Sequence, residues 1–141
     1  MRRLELIEKD LIHAIIGSFF DVYNTLGFGF LERLYVSALE KELVARRHRV
    51  AREVCVRVSY KGQVLGIQRL DMVVDERVVV EVKASAELHR AATRQLYNYL
   101  RATNLEVGLL LHFGHQPAFH RVLYRHPKSD PERSTVSGAS V

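Results

Sequence analysis

The sequence predicts an α/β fold, a mixed β-sheet with helices packed against it, and three observations lead there. Two stretches with apolar residues three or four apart open the chain. A run that is almost solid valine, Val78 to Val82, follows two strand-like segments and reads as a central strand covered on both faces. A helical stretch then separates that run from the next apolar one. Such a crossover makes its two flanking strands parallel, whereas the short turns before it make the earlier strands antiparallel.

Residues 4–24 place Leu4, Ile7, Leu11, Ile15, Phe19 and Val22 on one helical stripe, continued by Leu26 and ended by Gly27 and Gly29. A second helix runs from about Phe30 to Arg47, with Leu31, Leu34, Tyr35, Ala38, Leu39 and Leu43 inward. Its end is basic (Arg46, Arg47, His48, Arg49), as the helix dipole prefers. Val50–Tyr60 alternates Val54, Val56 and Val58 against Glu53, Arg57 and Ser59, a half-exposed strand. Lys61-Gly62 turns the chain into Val64–Val74, and Asp75-Glu76-Arg77 turns it again into Val78–Ala84. Leu88–Arg101 returns to helical spacing, Leu105–His112 is another buried strand, and Ala118–Arg125 is a last strand at an edge.

At 141 residues the size prior is one domain, set at residues 1–125. Residues 126–141 contain Ser, Pro and Gly with almost no large apolar side chain and are predicted to be a disordered tail. Charge interrupts every apolar run before a membrane helix could form, and the acidic residues after Met1-Arg2-Arg3 do not suit an export signal. Cys55 is the only cysteine, which makes a disulfide or cysteine cluster impossible within the chain and points to a reducing, cytoplasmic setting. It reads as a small buried side chain. The net charge is +5, from 21 basic and 16 acidic residues. Charges in the tail cancel, so the excess lies on the folded body and favours a polyanionic partner.

The chemistry starts at Val78-Val79-Val80-Glu81-Val82-Lys83. Glu81 and Lys83 share a strand face and stand roughly 7 Å apart. A surface ion pair at a strand end explains those two alone equally well. Asp71 changes the balance. If the loop is three residues, Asp75 to Arg77, Val74 pairs with Val78 and Asp71 falls opposite Glu81, with Cβ atoms roughly 5 Å apart. A two-residue loop would put them on opposite faces. The three-residue register also aligns Leu70, Met72 and Val74 with Val78, Val80 and Val82 as one apolar face. Two carboxylates that close need a shared proton or a cation, and a hard divalent ion, Mg²⁺ or Mn²⁺, meets the need. Lys83 beside them would orient a water or stabilise charge on phosphorus. A carboxyl pair working on a sugar lacks its aromatic platform, since the chain has no Trp.

Secondary candidates follow. Leu88, Ala91, Ala92, Gln95, Tyr99 and Ala102 form the inward row of their helix, so Gln95 is a polar residue needing a partner, either at the site or on sheet backbone. Arg90, Arg94 and Arg101 form an outward stripe suited to phosphates or simply to solvent. Glu32 sits in a first helical turn, where any acid is favoured, and leans toward the inward row. Leu26-Gly-Phe-Gly-Phe30 is a helix-ending turn rather than a phosphate loop, and His112 and His115 are strand-end residues without clustered zinc ligands.

Gly29-Phe-Leu-Glu32-Arg-Leu-Tyr35 resembles the motif that names the GxxExxY proteins, a bacterial and archaeal group within the PD-(D/E)XK nuclease superfamily. The likeness continues through Arg69-x-Asp71, Glu81-Val82-Lys83, Gln95-Leu-Tyr-Asn-Tyr99-Leu and a strand ending near Phe113-Gly114, roughly residues 5–125 in order. The resemblance implies a restriction-endonuclease-like αβββαβ core with an extra N-terminal helix, and metal-dependent hydrolysis of phosphodiesters. On it, Asp71 and Glu81 ligate Mg²⁺ or Mn²⁺ with the Val82 backbone carbonyl, Glu32 completes the acidic site, Lys83 serves the attacking water, and Gln95 is the helix-borne polar residue. Arg69 joins Arg90, Arg94 and Arg101 as nucleic-acid contacts, the substrate being DNA or RNA with DNA favoured. Relatives often carry a His three residues before the Gln; Ala92 stands there, and His89 is the nearest substitute. The alternative is a non-catalytic nucleic-acid-binding or protein-interaction module on the same fold, with a homodimer or partner protein left open.

Overall fold

A computed structural model describes residues 8–127. Leu4 and Ile7 of the first apolar stripe, and residues 128–141 of the expected tail, lie outside the described residues. The order is α1 (Lys9–Leu26), α2 (Glu32–Ala45), β1 (Val50–Tyr60), β2 (Gln63–Val74), β3 (Val78–Lys83), α3 (Ala92–Arg101), β4 (Val107–Phe113) and β5 (Pro117–Leu123). The five strands lie side by side in chain order. Only β3 and β4 run parallel, as the α3 crossover requires.

Helices cover both faces. On one, Ile15 and Phe19 of α1 and Tyr35 and Leu39 of α2 pack on Met72, Val74, Val80, Val82 and Leu109. On the other, Leu96 and Leu100 of α3 pack on Val54, Leu70, Val73, Val79 and Leu110. The valine strand is buried at every residue except Lys83, as its composition dictates. Each of its buried valines contributes roughly 1.5–3 kcal/mol by leaving water. No helix among the described residues is long and apolar enough to cross a membrane.

Several expectations change. Leu31 precedes α2 and is exposed, and Leu34 is exposed on the outer face of that helix, which buries Tyr35, Val36, Leu39 and Leu43. Helix α3 begins at Ala92 and buries Ala92, Leu96 and Leu100, so Gln95 and Ala91 are exposed rather than inward. Gly108 on β4 goes with this phase: a Cβ there would lie 3.0 Å from the Leu96 side chain, which packs closely on the glycine. Leu70 packs under α3, in the opposite layer from Met72 and Val74, so the expected single apolar face is broken at Asp71. Cys55 is only half-buried. The last strand ends at Leu123, and His126 beyond it is tied back, its N–H donating to Glu106 Oε2 at 2.9 Å and its Nε2 lying 2.8 Å from the Leu105 carbonyl.

Candidate active site

The β2–β3 hairpin fixes everything at the site. Its loop is Asp75-Glu76-Arg77, and the register is Val74↔Val78, Val73↔Val79 and Met72↔Val80. Asp75 and Glu76 are left-handed (φ 52° and 59°), which turns the chain in three residues. The Asp75 side chain fastens this loop to the start of β1, accepting the Arg49 N–H at 2.8 Å and meeting His48 Nδ1 at 2.8 Å.

One step further along, the next opposed residues are Asp71 and Glu81, and there the backbone ladder stops. Side chains take over. The Val82 N–H donates to Asp71 Oδ2 at 2.7 Å, and the Asp71 N–H donates to Glu81 Oε2 at 2.9 Å. Each carboxylate thus satisfies a backbone donor in the fork between the strands, leaving its second oxygen for another partner. A matching irregularity lies on the other side of β2. Pairs Arg52↔Met72 and Val54↔Leu70 are in register, yet Glu53 between them is left-handed (φ 55°) and outside the ladder, as is Asp71. A non-glycine residue there is strained. The twist is what sends Leu70 and Met72 to opposite layers and frees Asp71 from β1.

Burial dominates the electrostatics. Glu81 is 8% exposed, and its carboxyl is pushed up to about 8, first by burial and then by the Asp71 charge, against the Asp71 N–H and Lys83. Asp71 is raised as well, by burial foremost, with the Val82 N–H, Lys83 and Arg52 opposing and Glu53 adding to the rise. Glu32, on the exposed first turn of α2, is raised by partial desolvation and then by Asp71, while Lys83 and the Ala84 N–H lower it. Lys83 therefore acts on all three acids. It also lines a cavity of about 500 Å³ with Ser85, Leu88, His89, Ala92 and Gln95.

The structure brings together Asp71, Glu81 and Lys83, with Glu32 in electrostatic range and Gln95 and His89 on the Lys83 cavity. It does not gather the arginines there. Arg69, Arg90, Arg94 and Arg101 are exposed, and none lines that cavity. Arg94 lies over the Tyr97 ring, and Arg69 leans toward Glu53 at 3.5 Å. Sequence reasoning gives Tyr99 no role at the site, yet its hydroxyl is raised by burial and then by the Glu81 charge, and it donates to Gln68 Oε1 at 3.3 Å. The available signal was its place one turn after Gln95 in the same motif. His112, 8% exposed, meets the Ser85 carbonyl through Nε2 at 2.9 Å and so holds the loop that leaves Lys83. Tyr35 secures a second loop in the same way. Its hydroxyl donates to the Gly27 carbonyl and accepts the Phe30 N–H at 3.1 Å, fixing the segment that presents Glu32.

Among the described residues no three His, Cys, Asp or Glu side chains converge tightly enough to hold an ion unaided, so Glu32 stands outside the pair. The donor set nevertheless fits a hard cation: two carboxylates with a free oxygen each, and the Val82 carbonyl. In an extended strand a residue's N–H and C=O point to the same edge, so that carbonyl faces the fork as its N–H does. Mg²⁺ is commonly held by one or two carboxylates with water and substrate phosphate rather than by a full protein cage.

A helix-flanked mixed sheet with paired acids and a lysine at a forked central hairpin defines a restriction-endonuclease-like protein. The PD-(D/E)XK nuclease superfamily model matches residues 9–122, and the chain belongs to that superfamily. Among solved structures it is similar to the crystal structure of SSO0001, with a TM-score of 0.54 and 19% identity over 86% of this chain. It spans 61% of the length of that chain, and at this identity the likeness concerns the fold. No curated protein matches it significantly.

Proposed function

We propose that the protein is a Mg²⁺- or Mn²⁺-dependent nuclease of the GxxExxY group that hydrolyses phosphodiester bonds of DNA. The observation that carries this reading is the reciprocal pair at the fork. Asp71 and Glu81, each bonded to backbone across the gap, form a largely buried acid pair whose ionised form is disfavoured by burial and mutual repulsion and would be favoured by a cation between them. A purely structural or binding module has little use for two carboxylates aimed at an anion.

In this reading Asp71, Glu81 and the Val82 carbonyl hold the ion, with Glu32 joining through a water or a small shift of its helix turn. The bound ion supplies Lewis acidity toward the phosphodiester and a bound water of lowered pKa. Lys83, beside both acids and open to its cavity, positions the nucleophilic water and compensates charge growing on the phosphoryl oxygens. Gln95 and His89, on the same cavity, are placed to hold substrate phosphate or the outgoing product.

The test pairs calorimetric titration of MnCl₂ with cleavage of labelled DNA and RNA, using wild type, Asp71→Asn and Lys83→Ala. Metal binding and cleavage lost together in Asp71→Asn, with metal binding kept but cleavage lost in Lys83→Ala, support the enzyme. Wild-type protein that binds nucleic acid and cleaves nothing with any divalent ion is instead a binding module on the nuclease fold.

A further inference from the structure

We infer that the outer half of the β1–β2 hairpin is a grip for double-stranded DNA that reaches from the acid pair into a groove of the duplex, a reading that rests on the nuclease assignment. From Gln63 to Arg69 every residue of β2 is exposed. Its pairing with β3 covers only Met72 to Val74, so among the described residues the outer half carries no strand beyond β1. Lys61 and Gly62, both left-handed (φ 50° and 81°), close the tip as a tight two-residue turn. The result is a narrow two-stranded ribbon about 25 Å long, at the strand rise, whose base is Leu70 and the adjoining Asp71.

The ribbon's chemistry selects its occupant. Between Val54 and Leu70 there is no Asp or Glu, while Arg57, Lys61 and Arg69 are basic. Arg57 and Arg101 share a groove of about 390 Å³ with Ser59, Asn98 and Tyr124, and no acidic side chain among the described residues lines it. Thus Arg101 of the α3 stripe shares a groove with the ribbon. The ribbon also exposes Tyr60 (59%), Val64 (52%), Leu65 (69%) and Ile67 (60%). On an acid-free element such side chains suit thymine methyls or a partly unstacked base step. The major groove of B-DNA is wide enough for a two-stranded ribbon, whereas that of an RNA duplex is too narrow. Because the ribbon and Asp71 are continuous chain, a duplex seated on it runs past the fork.

Binding without metal separates this inference from the nuclease reading. Fluorescence anisotropy in EDTA would follow a labelled 20-bp DNA duplex, the matching RNA duplex and a DNA single strand between 50 and 200 mM NaCl. The full chain is compared with an Arg57→Ala/Lys61→Ala/Arg69→Ala variant and with Lys9→Ala/Lys41→Ala/Arg125→Ala, which loses the same charge elsewhere; matching circular dichroism melts establish folding. The ribbon variant is expected to bind duplex DNA more weakly, with its log–log salt slope reduced by about 2.7, the value for three lost phosphate contacts. The control should keep the wild-type slope, and duplex DNA should bind tightest. An unchanged slope in the folded ribbon variant overturns the inference, as does preference for the RNA duplex or the single strand. So does self-association that Leu65→Ser/Ile67→Ser abolishes with duplex affinity intact, which would make a second copy the occupant. Parallel cleavage assays with Mn²⁺ report on the nuclease reading alone.

Discussion

Replacing Glu81 by Gln should stabilise the metal-free protein at neutral pH, although it removes a proposed catalytic group. Gln keeps the shape and an oxygen to accept the Asp71 N–H, and removes the need to ionise a buried acid. The carboxyl rises from 4.5 to about 8 on folding, so the folded state holds a proton that the unfolded chain releases. Stability then falls as pH rises through this window, because the native state binds the extra proton. The 2.5 pH units from 4.5 to 7, at about 1.36 kcal/mol each, come to about 3 kcal/mol. At pH 5 the same reasoning leaves under about 1 kcal/mol. Urea unfolding in EDTA from pH 5 to 8 reads this directly: the gap between Glu81→Gln and wild type should open with pH and level off near 8. Saturating MnCl₂ should then raise the wild type, by about 2.7 kcal/mol at a hundred times Kd, and leave the variant unmoved. A variant no more stable than wild type at pH 7 to 8, or a gap that does not grow with pH, would refute the buried-acid reasoning.

Tyr35→Phe leaves the Gly27 carbonyl and the Phe30 N–H without their shared partner, and should cost about 1–3 kcal/mol in thermal melts while speeding proteolysis between Gly27 and Leu31. Gly108→Ala forces a methyl against Leu96 and should cost about 1–3 kcal/mol, with Gln95 and Tyr99 displaced and cleavage reduced. Asp75 is half-buried, which raises its carboxyl, but His48 and the Arg49 N–H outweigh this and hold it below the usual range. Its contribution is present above its ordinary pKa and lost as pH falls through the depressed value. Asp75→Ala should therefore cost about 1–3 kcal/mol at pH 7, and the difference should vanish in strong acid.

The hairpin register was legible because Asp75-Glu76-Arg77 and the flanking valines allow only one alignment that buries both runs. It carried Asp71, Glu81 and Lys83 with it. What could not be read were features set by a neighbouring element. The phase of α3 goes with the close packing of Leu96 on Gly108, a residue later in the chain, so Leu96 rather than Gln95 turned inward. The reversal between Leu70 and Met72 depends on a left-handed Glu53 one strand away, and nothing in Arg52-Glu53-Val54 marks a glutamate for that conformation. Leu31 and Leu34 looked inward by spacing alone, but Leu31 precedes α2 and the buried row of that helix runs through Tyr35, Val36, Leu39 and Leu43, leaving Leu34 outside it.

The fork also dictates which mutations can test the chemistry. In an ordinary ladder the N–H groups of Asp71 and Val82 would meet carbonyls; here they meet the two carboxylates, so each acid is part of the sheet's hydrogen bonding as well as of the proposed site. Truncating Asp71 to Ala strands the Val82 N–H in a half-buried gap, at a cost of about 1–3 kcal/mol, while Asp71→Asn still accepts that bond through its amide oxygen. If Asp71 serves both purposes, both variants lose metal binding and cleavage, and only Asp71→Ala loses stability. Paired denaturation and cleavage measurements on the two decide the matter. Equal stability would show that the Val82 N–H finds another partner and that the carboxylate is not part of the fork's hydrogen bonding. Cleavage retained by Asp71→Asn would show that its charge is not needed for the reaction.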